Sequence, residues 1–246
     1  LAMPKVFGVQ LTGCLRKGVS AKDIILEVLR RETVKGGVGA VYEYFGSGVE
    51  TLTVPQRATI TNMGAELGAT CSVFPSDAKT KTFLASMGRA KDWTKLEADV
   101  GAEYDKIIQI DLTKLSALAS QPHSPDAVVP VKNLSGKPVT QVVIGSCTNG
   151  RISDLRIAAD ILRKALDKGK TVHSGVRGIV SPATPAVYRQ ALAEGIIDTF
   201  MEAGFCVTNP TCGACLGMSN GVLAEGEVCA STTNRNFNGR MGKGGM

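Results

Sequence analysis

From about Val139 onward, the sequence alternates short apolar runs with amphipathic stretches, and the loops between them are short. The apolar runs predict strands at 141–144, 176–181, 205–208 and 228–232. The amphipathic stretches predict helices at 153–168, 185–193 and 196–203. Regular alternation of strand and helix with short connections is typical of an α/β unit built on a parallel sheet.

The first half of the chain predicts a second unit of the same class. Its expected strands are 6–13, 41–45, 70–74 and 107–112, with helices after Ser20, at 55–67 and at 81–87. The Pro-rich passage 121–130 favours extended, non-helical backbone and therefore predicts a domain boundary. We expect an α/β fold of two domains with mainly parallel sheets, spanning 1–128 and 135–246.

The helix predicted at 55–67 carries a polar pair of functional interest. Ile60, Met63 and Leu67 form its apolar stripe, whereas Asn62 and Glu66 lie four residues apart on a different face. This spacing lets both side chains act on one point. The alternative interpretation is an ordinary solvated face.

Cysteines form the most informative motif of the second half. Cys212 and Cys215 lie three residues apart in a Gly-flanked loop, which fits a redox dithiol, half of a zinc site or an iron–sulfur ligand pair. Cys147 follows another predicted strand in a similar setting and makes a metal centre the favoured interpretation. Neither His123 nor His173 has the spacing of a zinc finger, so three ligands with an open fourth position are expected. We expect the four other cysteines to be core or near-core residues: Cys14, Cys71, Cys206 and Cys229.

The predicted strand ends place further polar groups beside these thiols. The segment 234–240 follows the last predicted strand and contains Arg235 and Arg240. Ligands of open α/β sheets collect beyond the carboxyl ends of the strands, and arginine is suited to binding carboxylates in a fixed fork. One sheet edge is therefore expected to bring together three thiols and two guanidinium groups.

Composition excludes several classes of function. The 246 residues are 43% apolar, but no run of about 18 apolar residues and no signal-peptide pattern occurs. We therefore expect no membrane span and a location in the cytoplasm. The net charge of +6 is dispersed and there is only one Trp, which makes nucleic acid an unlikely partner and suits a small acidic substrate. Both chain ends are expected to be cut from a larger protein.

Four motifs together resemble the aconitase superfamily. They lie in the family's order along nearly the whole chain: ATITNMGAE (58–66), GSCTN (145–149), PTCGACLG (210–217) and TNRNFNGR (233–240). The resemblance implies a [4Fe-4S] hydro-lyase acting on a small hydroxy di- or tricarboxylic acid. It implies that Cys147, Cys212 and Cys215 hold three irons and leave the fourth iron to substrate and water.

Motif matching also implies roles for five other residues. Asn62 and Asn234 would be polar neighbours of the cluster, and Glu66 would assist at the substrate hydroxyl. Arg235 and Arg240 would hold substrate carboxylates. The family's N-terminal active-site segment and its swivelling domain have no counterpart here, so the chain is expected to be inactive alone.

The second half most resembles the two-subunit dehydratases of the superfamily, in which the swivelling domain is a separate small subunit. The motif around Asn62 is nearer to the single-chain aconitases. Two other interpretations stay open at this point: an RNA-binding regulatory relative, and a structural zinc protein that uses the same three thiols.

Overall fold

The computed structural model describes residues 2–246, which form two compact units. The first contains the residues up to Ser120 together with Asp126–Asn133, and the second contains Gln121–Pro125 together with Leu134–Met246. Each unit has a four-stranded sheet with parallel pairing throughout, so the predicted α/β class with mainly parallel sheets is confirmed. Among the described residues, none of the helices has the length and apolar content needed to cross a membrane.

The first unit follows the predicted order of strands and helices. Its elements are β1 (Lys5–Thr12), α1 (Ala21–Glu32), β2 (Ala40–Phe45), α2 (Val54–Met63), β3 (Cys71–Val73), α3 (Ala78–Ser86), β4 (Lys106–Asp111), β5 (Leu118–Ser120) and β6 (Val128–Pro130). The sheet order is β3-β2-β1-β4, and β5 pairs antiparallel with β6. Alternate strand residues form one buried face against the apolar side of α1: Val9, Leu11, Tyr42, Tyr44, Ile108 and Ile110.

The N-terminus of α1 is fixed by Ser20 and Asp23. Ser20 is the N-cap, and its backbone N–H donates to the Asp23 carboxylate at 2.6 Å. The other carboxylate oxygen of Asp23 accepts from Leu118 N at 2.7 Å. A single buried acid therefore caps the helix and attaches β5 to it.

Arg57 lies inside the first unit, with only 4% of its surface exposed. Its guanidinium donates to the carbonyls of Leu52 (3.2 Å), Val49 (3.0 Å) and Pro75 (3.2 Å), and to the Asp77 carboxylate (2.5 Å). Burial alone would raise the pKa of Asp77, but the ion pair with Arg57 and the backbone N–H bonds from Thr80 and Lys79 together outweigh it and hold that pKa below its ordinary value. Stabilisation from the pair is thus present at neutral pH and is lost on acidification through the lowered pKa.

We expect Arg57→Lys to destabilise the first unit by about 2–4 kcal/mol, because one ammonium cannot replace a fork that reaches three buried carbonyls. Urea unfolding followed by the fluorescence of Trp93, the only tryptophan of the chain, measures this unit. Arg89→Lys is the control, since Arg89 is exposed and, within residues 2–246, its side chain pairs only with Asp92. Equal stability of the two variants would show that the buried fork contributes nothing.

The second unit contains the elements that carry the cysteine motifs. They are β7 (Gln141–Gly145), α4 (Ser146–Asn149), α5 (Ile152–Leu166), β8 (Arg177–Ser181), α6 (Pro185–Ala193), α7 (Ile196–Glu202), β9 (Phe205–Val207) and β10 (Cys229–Ser231). The sheet order is β10-β7-β8-β9. The direction in which the chain adds strands therefore reverses between β7 and β10. Such a reversal leaves a crevice at the carboxyl ends of the two strands.

Both faces of the second sheet are covered, as expected for parallel strands. One face packs Val142, Ile144 and Val180 with α5, α6 and α7. On the opposite face, Val143 and Ile179 pack in a smaller core with three residues from loops: Ala214, Leu223 and Met241. Because Ala214 lies between the two cysteines of the C-x-x-C motif, this smaller core anchors that motif to the sheet.

Candidate metal centre

Cys147 is presented by an unusual backbone turn directly after β7. Gly145 has φ +134° and Ser146 has φ +79°, both in the region that side chains rarely adopt. A Cβ on Gly145 would lie 2.1 Å from the Ser181 carbonyl oxygen, so only glycine fits. The turn buries Thr148 completely and leaves Cys147 exposed.

Short hydroxyl side chains join the ends of neighbouring strands. Thr232, just after β10, donates its backbone N–H to Val143 O at 3.0 Å, and its Oγ1 accepts from Gly145 N at 2.9 Å. On the other side, Ser181 and Thr208 share a buried hydroxyl–hydroxyl bond of 2.5 Å. The carboxyl ends of β10 and β7, and those of β8 and β9, are thereby tied in pairs.

Cys215 lies on a short 3₁₀ turn, Gly213–Leu216, in the loop that follows β9, and Cys212 is the N-cap of that turn. Ala214 between them is 3% exposed and packs in the smaller core, whereas Cys212 is exposed and Cys215 is half-buried. Gly217 ends the turn in the left-handed conformation, and a Cβ there would lie 2.8 Å from Arg240 O. The cysteine turn is thus packed closely against the segment that follows β10.

Arg240 connects the two loops directly. Its Nε donates to the Cys215 carbonyl oxygen at 2.9 Å, and its two terminal nitrogens make no hydrogen bond within the described residues. Asn234 and Arg235 earlier in the same segment are half-buried. Asn236 donates to Gln121 O at 2.7 Å, which ties the segment to the Pro-rich passage.

The topology brings the predicted groups to one edge of one sheet. Cys147 follows β7, the C-x-x-C turn follows β9, and the segment with Arg235 and Arg240 follows β10. Carboxyl ends of parallel strands lie at the same edge, as the sequence indicated. This arrangement combines three free thiols with cationic groups that suit an anionic ligand.

The donor set fits an iron–sulfur cluster. None of the three cysteines forms a disulfide, and thiolates are the usual ligands of such clusters. Within residues 2–246, no group of three or more His, Cys, Asp and Glu side chains is placed to hold a single metal ion. Cluster ligands bind different irons and do not share one ion. Convergence of Cys147 with Cys212 and Cys215 on one cluster stays a prediction.

The polar pair of the first unit lies where α2 ends. The predicted helix 55–67 is wrong in its last turn, because α2 ends at Met63 and continues as a 3₁₀ turn, Gly64–Leu67. Gly64 packs so closely on β3 that a Cβ would lie 2.2 Å from Ser72 Oγ. Asn62 is exposed and Glu66 is 5% exposed, so Glu66 is not part of a solvated face.

The expectation for the other cysteines is wrong in three cases of four. Cys14, Cys71 and Cys206 are exposed. Cys71 and Cys206 lie on β3 and β9, which are edge strands, so one side of each faces solvent. Cys229 on β10 is half-buried, and burial raises the pKa of its thiol to about 11.

Comparison with known proteins decides the family. The family model described as "Aconitase family (aconitate hydratase)" matches residues 1–138 and 132–246. The chain belongs to the aconitase family. The motifs at 145–149, 210–217 and 233–240 therefore occur in a chain of the family that they resemble.

Several similar proteins are named 3-isopropylmalate dehydratase large subunit. The protein from Desulfosudis oleivorans is 51% identical over an alignment of 255 positions, which covers 100% of this chain and 58% of the relative. The Geobacter sulfurreducens protein is also 51% identical, over 99% of this chain and 58% of its own length. The protein named 3-isopropylmalate dehydratase large subunit 2 from Archaeoglobus fulgidus is 49% identical over 98% of this chain and 56% of its own length. The chain thus spans somewhat more than half the length of these relatives.

A solved structure supports the fold of this aconitase-family chain. Holo aconitase X from Thermococcus kodakaraensis matches 95% of this chain and 50% of its own, with a TM-score of 0.51. The sequences are only 12% identical, so this likeness concerns the fold.

Sequence reasoning missed the residues that support the site. Thr232, Ser181 and Thr208 each end or follow a strand with a short hydroxyl, a pattern that could have indicated ties between strand ends. Arg151, at the start of α5, donates to the Thr148 carbonyl and was not singled out. The available signal was its position three residues before Asp154. The Asp154 carboxylate accepts from Arg151 N at 3.0 Å.

We predict that Gly145→Ala costs about 3 kcal/mol or more, since it adds a backbone clash to the strain of positive φ. Gly169→Ala is the matched control: it lies in the same unit at φ +66° with no atom near its Cβ, and should cost about 1 kcal/mol. Urea unfolding monitored by far-UV circular dichroism measures both. Equal costs would mean that the close approach to Ser181 does not constrain the Cys147 turn.

Proposed function

We propose that this chain is the core of the large subunit of an iron–sulfur hydro-lyase, with 3-isopropylmalate dehydratase, a step of leucine biosynthesis, as the favoured activity. The single observation that carries the proposal is the gathering of Cys147, the C-x-x-C turn and the Arg235–Arg240 segment at one edge of a parallel sheet. The names of relatives about half identical to this chain support the choice of substrate.

Cys147, Cys212 and Cys215 are the residues that would hold the [4Fe-4S] cluster. When bound through three thiolates, such a cluster supplies one iron without a protein ligand, which serves as a Lewis acid toward a hydroxy acid. The chain's contribution is to fix the three sulfurs. Gly145 directs the first one, and the buried Ala214 anchors the other two.

Arg235 and Arg240 would bind the carboxylates of the substrate. Arg240 uses Nε for the Cys215 carbonyl, which orients the guanidinium and leaves both terminal nitrogens for a bidentate carboxylate. A substrate with two carboxylates needs two such cations. This requirement matches a small hydroxy di- or tricarboxylic acid.

The remaining assigned residues act on protons and orientation. We assign Glu66, a buried carboxyl of the first unit, to proton delivery at the departing hydroxyl. Asn62 and Asn234 are assigned as neutral hydrogen-bonding groups that orient the reactants. These three assignments rest on the family resemblance of their motifs.

A small subunit or swivelling domain would complete the active site. The word "large subunit" in the names of the relatives supports such a partner. The chain alone would then bind the cluster without turning over substrate. Aconitate hydratase and 2,3-dimethylmalate dehydratase are the alternative activities, and they differ in the acid that is dehydrated.

Anaerobic reconstitution with iron and sulfide should load a cluster onto this chain, and replacing Cys147, Cys212 or Cys215 by Ser should lower its iron and sulfide content severalfold because each thiolate holds one iron. Cys206→Ser, an exposed thiol of the same sheet, is the control and should bind as wild type. Retention of zinc but not of iron and sulfide by the wild-type chain would favour a structural zinc site instead.

Substrate binding can be tested in a chimera in which this chain replaces its counterpart in the Geobacter sulfurreducens large subunit, assayed with the small subunit. Arg235→Lys should lower kcat/KM for 3-isopropylmalate about tenfold or more, because lysine keeps the charge but loses the fork. Arg240→Lys should lower it further and also disturb the cysteine turn through the lost bond to Cys215.

Arg163→Lys is the control, because Arg163 is exposed and, among the residues that the structure describes, its side chain pairs only with Asp160 on α5. Iron content measured in parallel separates loss of substrate binding from loss of the cluster. Assays with aconitate and 2,3-dimethylmalate decide between the alternative activities. Unchanged kcat/KM in all three lysine variants would remove both arginines from the site.

A further inference from the structure

A cavity of about 510 Å³ lies in the first unit, outside the elements that carry the cysteines. It is bordered by the C-terminal half of α1, by the end of β4 with the residues after it, and by the β5–β6 pair. Its volume falls within the range of sites for small ligands. The proposed function assigns no role to any residue that lines it.

A buried carboxylate holds two arginines at the wall of this cavity. The Glu27 side chain is 8% exposed and accepts from Arg30 Nε (2.7 Å), Arg30 Nη2 (2.8 Å) and Arg31 Nε (2.7 Å). Burial alone would raise the pKa of Glu27, but the bonds from the two arginines outweigh it and lower that pKa. The carboxylate is therefore charged at neutral pH and fixes both guanidinium groups.

Each arginine retains a nitrogen that is not used within the described residues. Arg31 Nη1 donates to Gln109 O at 2.8 Å, which leaves Arg31 Nη2 and Arg30 Nη1. Lys114 also lines the cavity, and its side chain is 83% exposed. Three cations therefore face two acids, Glu27 and Asp111, and the net charge of the lining favours an anion.

Apolar residues form much of the rest of the wall, together with the polar residues Gln109 and Ser116. Ile110, Leu115 and Val128 are buried residues of the core, and Leu118 is half-buried beside them. An ordinary ion-pair network on a solvated surface would not need apolar residues beside it. A ligand that combines an anionic group with a short aliphatic body would match both parts.

We propose that this cavity binds a small aliphatic carboxylate, with the carboxylate on Arg30 and Arg31 and the aliphatic body against Leu118 and Val128. Fixed guanidinium groups lose little entropy on binding, and bidentate pairing selects a planar carboxylate. This site is separate in its residues from the cysteine edge.

The test is a chemical-shift titration of this chain with 4-methylpentanoate, observing the methyl groups of Leu118 and Val128. The neutral isostere 4-methylpentanamide should bind at least about tenfold more weakly, since it cannot form the charged pair. Inorganic phosphate, which has charge but no aliphatic body, should perturb the arginines without matching the affinity of the acid.

Arg30→Gln should weaken binding of 4-methylpentanoate about tenfold, and Lys114→Gln should weaken it less. Arg163→Gln is the matched control, because Arg163 has the same i,i+3 pairing with an acid, in the other unit. The side chains of Arg30 and Arg163 are about half exposed, so the fold should survive either substitution.

Equal affinity for acid and amide, equal affinity for phosphate and the acid, or unchanged binding in Arg30→Gln would each overturn the proposal. The titration uses no iron and no turnover. Its failure is therefore distinct from failure of the proposed dehydratase activity.

Discussion

The candidate site depends on the alignment of four parallel strand ends in the second unit. Thr232 carries much of this alignment, because one residue bonds β7 through both its backbone and its hydroxyl. The Ser181–Thr208 bond does the same between β8 and β9. Backbone pairing between β7 and β8 joins the two tied pairs, so the loops after β7, β9 and β10 share one frame. Local interactions of about 1 kcal/mol each therefore add to the backbone pairing that brings distant motifs to one edge.

The positions of strands and helices were largely predictable from the sequence. Capping residues and apolar periodicity are local signals. Thr53 with Pro55 at the start of α2, and Pro185 at the start of α6, act through their immediate neighbours. Strand order was not predictable, because placing β10 beside β7 depends on contacts between residues almost 90 positions apart.

The environment of single side chains was harder to predict. Arg57 belongs to a residue type that is mostly exposed, and only the carbonyls of Val49, Leu52 and Pro75 explain its burial. Helix α2 gives way to a 3₁₀ turn at Gly64, where the backbone packs against Ser72 of β3, a contact that helical periodicity does not reveal. The exposure of Cys71 and Cys206 followed from edge positions that no local pattern reveals.

The bond between Arg240 Nε and the Cys215 carbonyl has a thermodynamic consequence. Because of this bond, the conformation of the cysteine turn and the position of the Arg240 guanidinium depend on each other. Whatever fixes the turn also fixes the cation, and an anion that holds the cation stabilises the turn by the same free energy. Cofactor loading and anion affinity in this unit would thus be reciprocally linked, without any movement of the sheet beneath them.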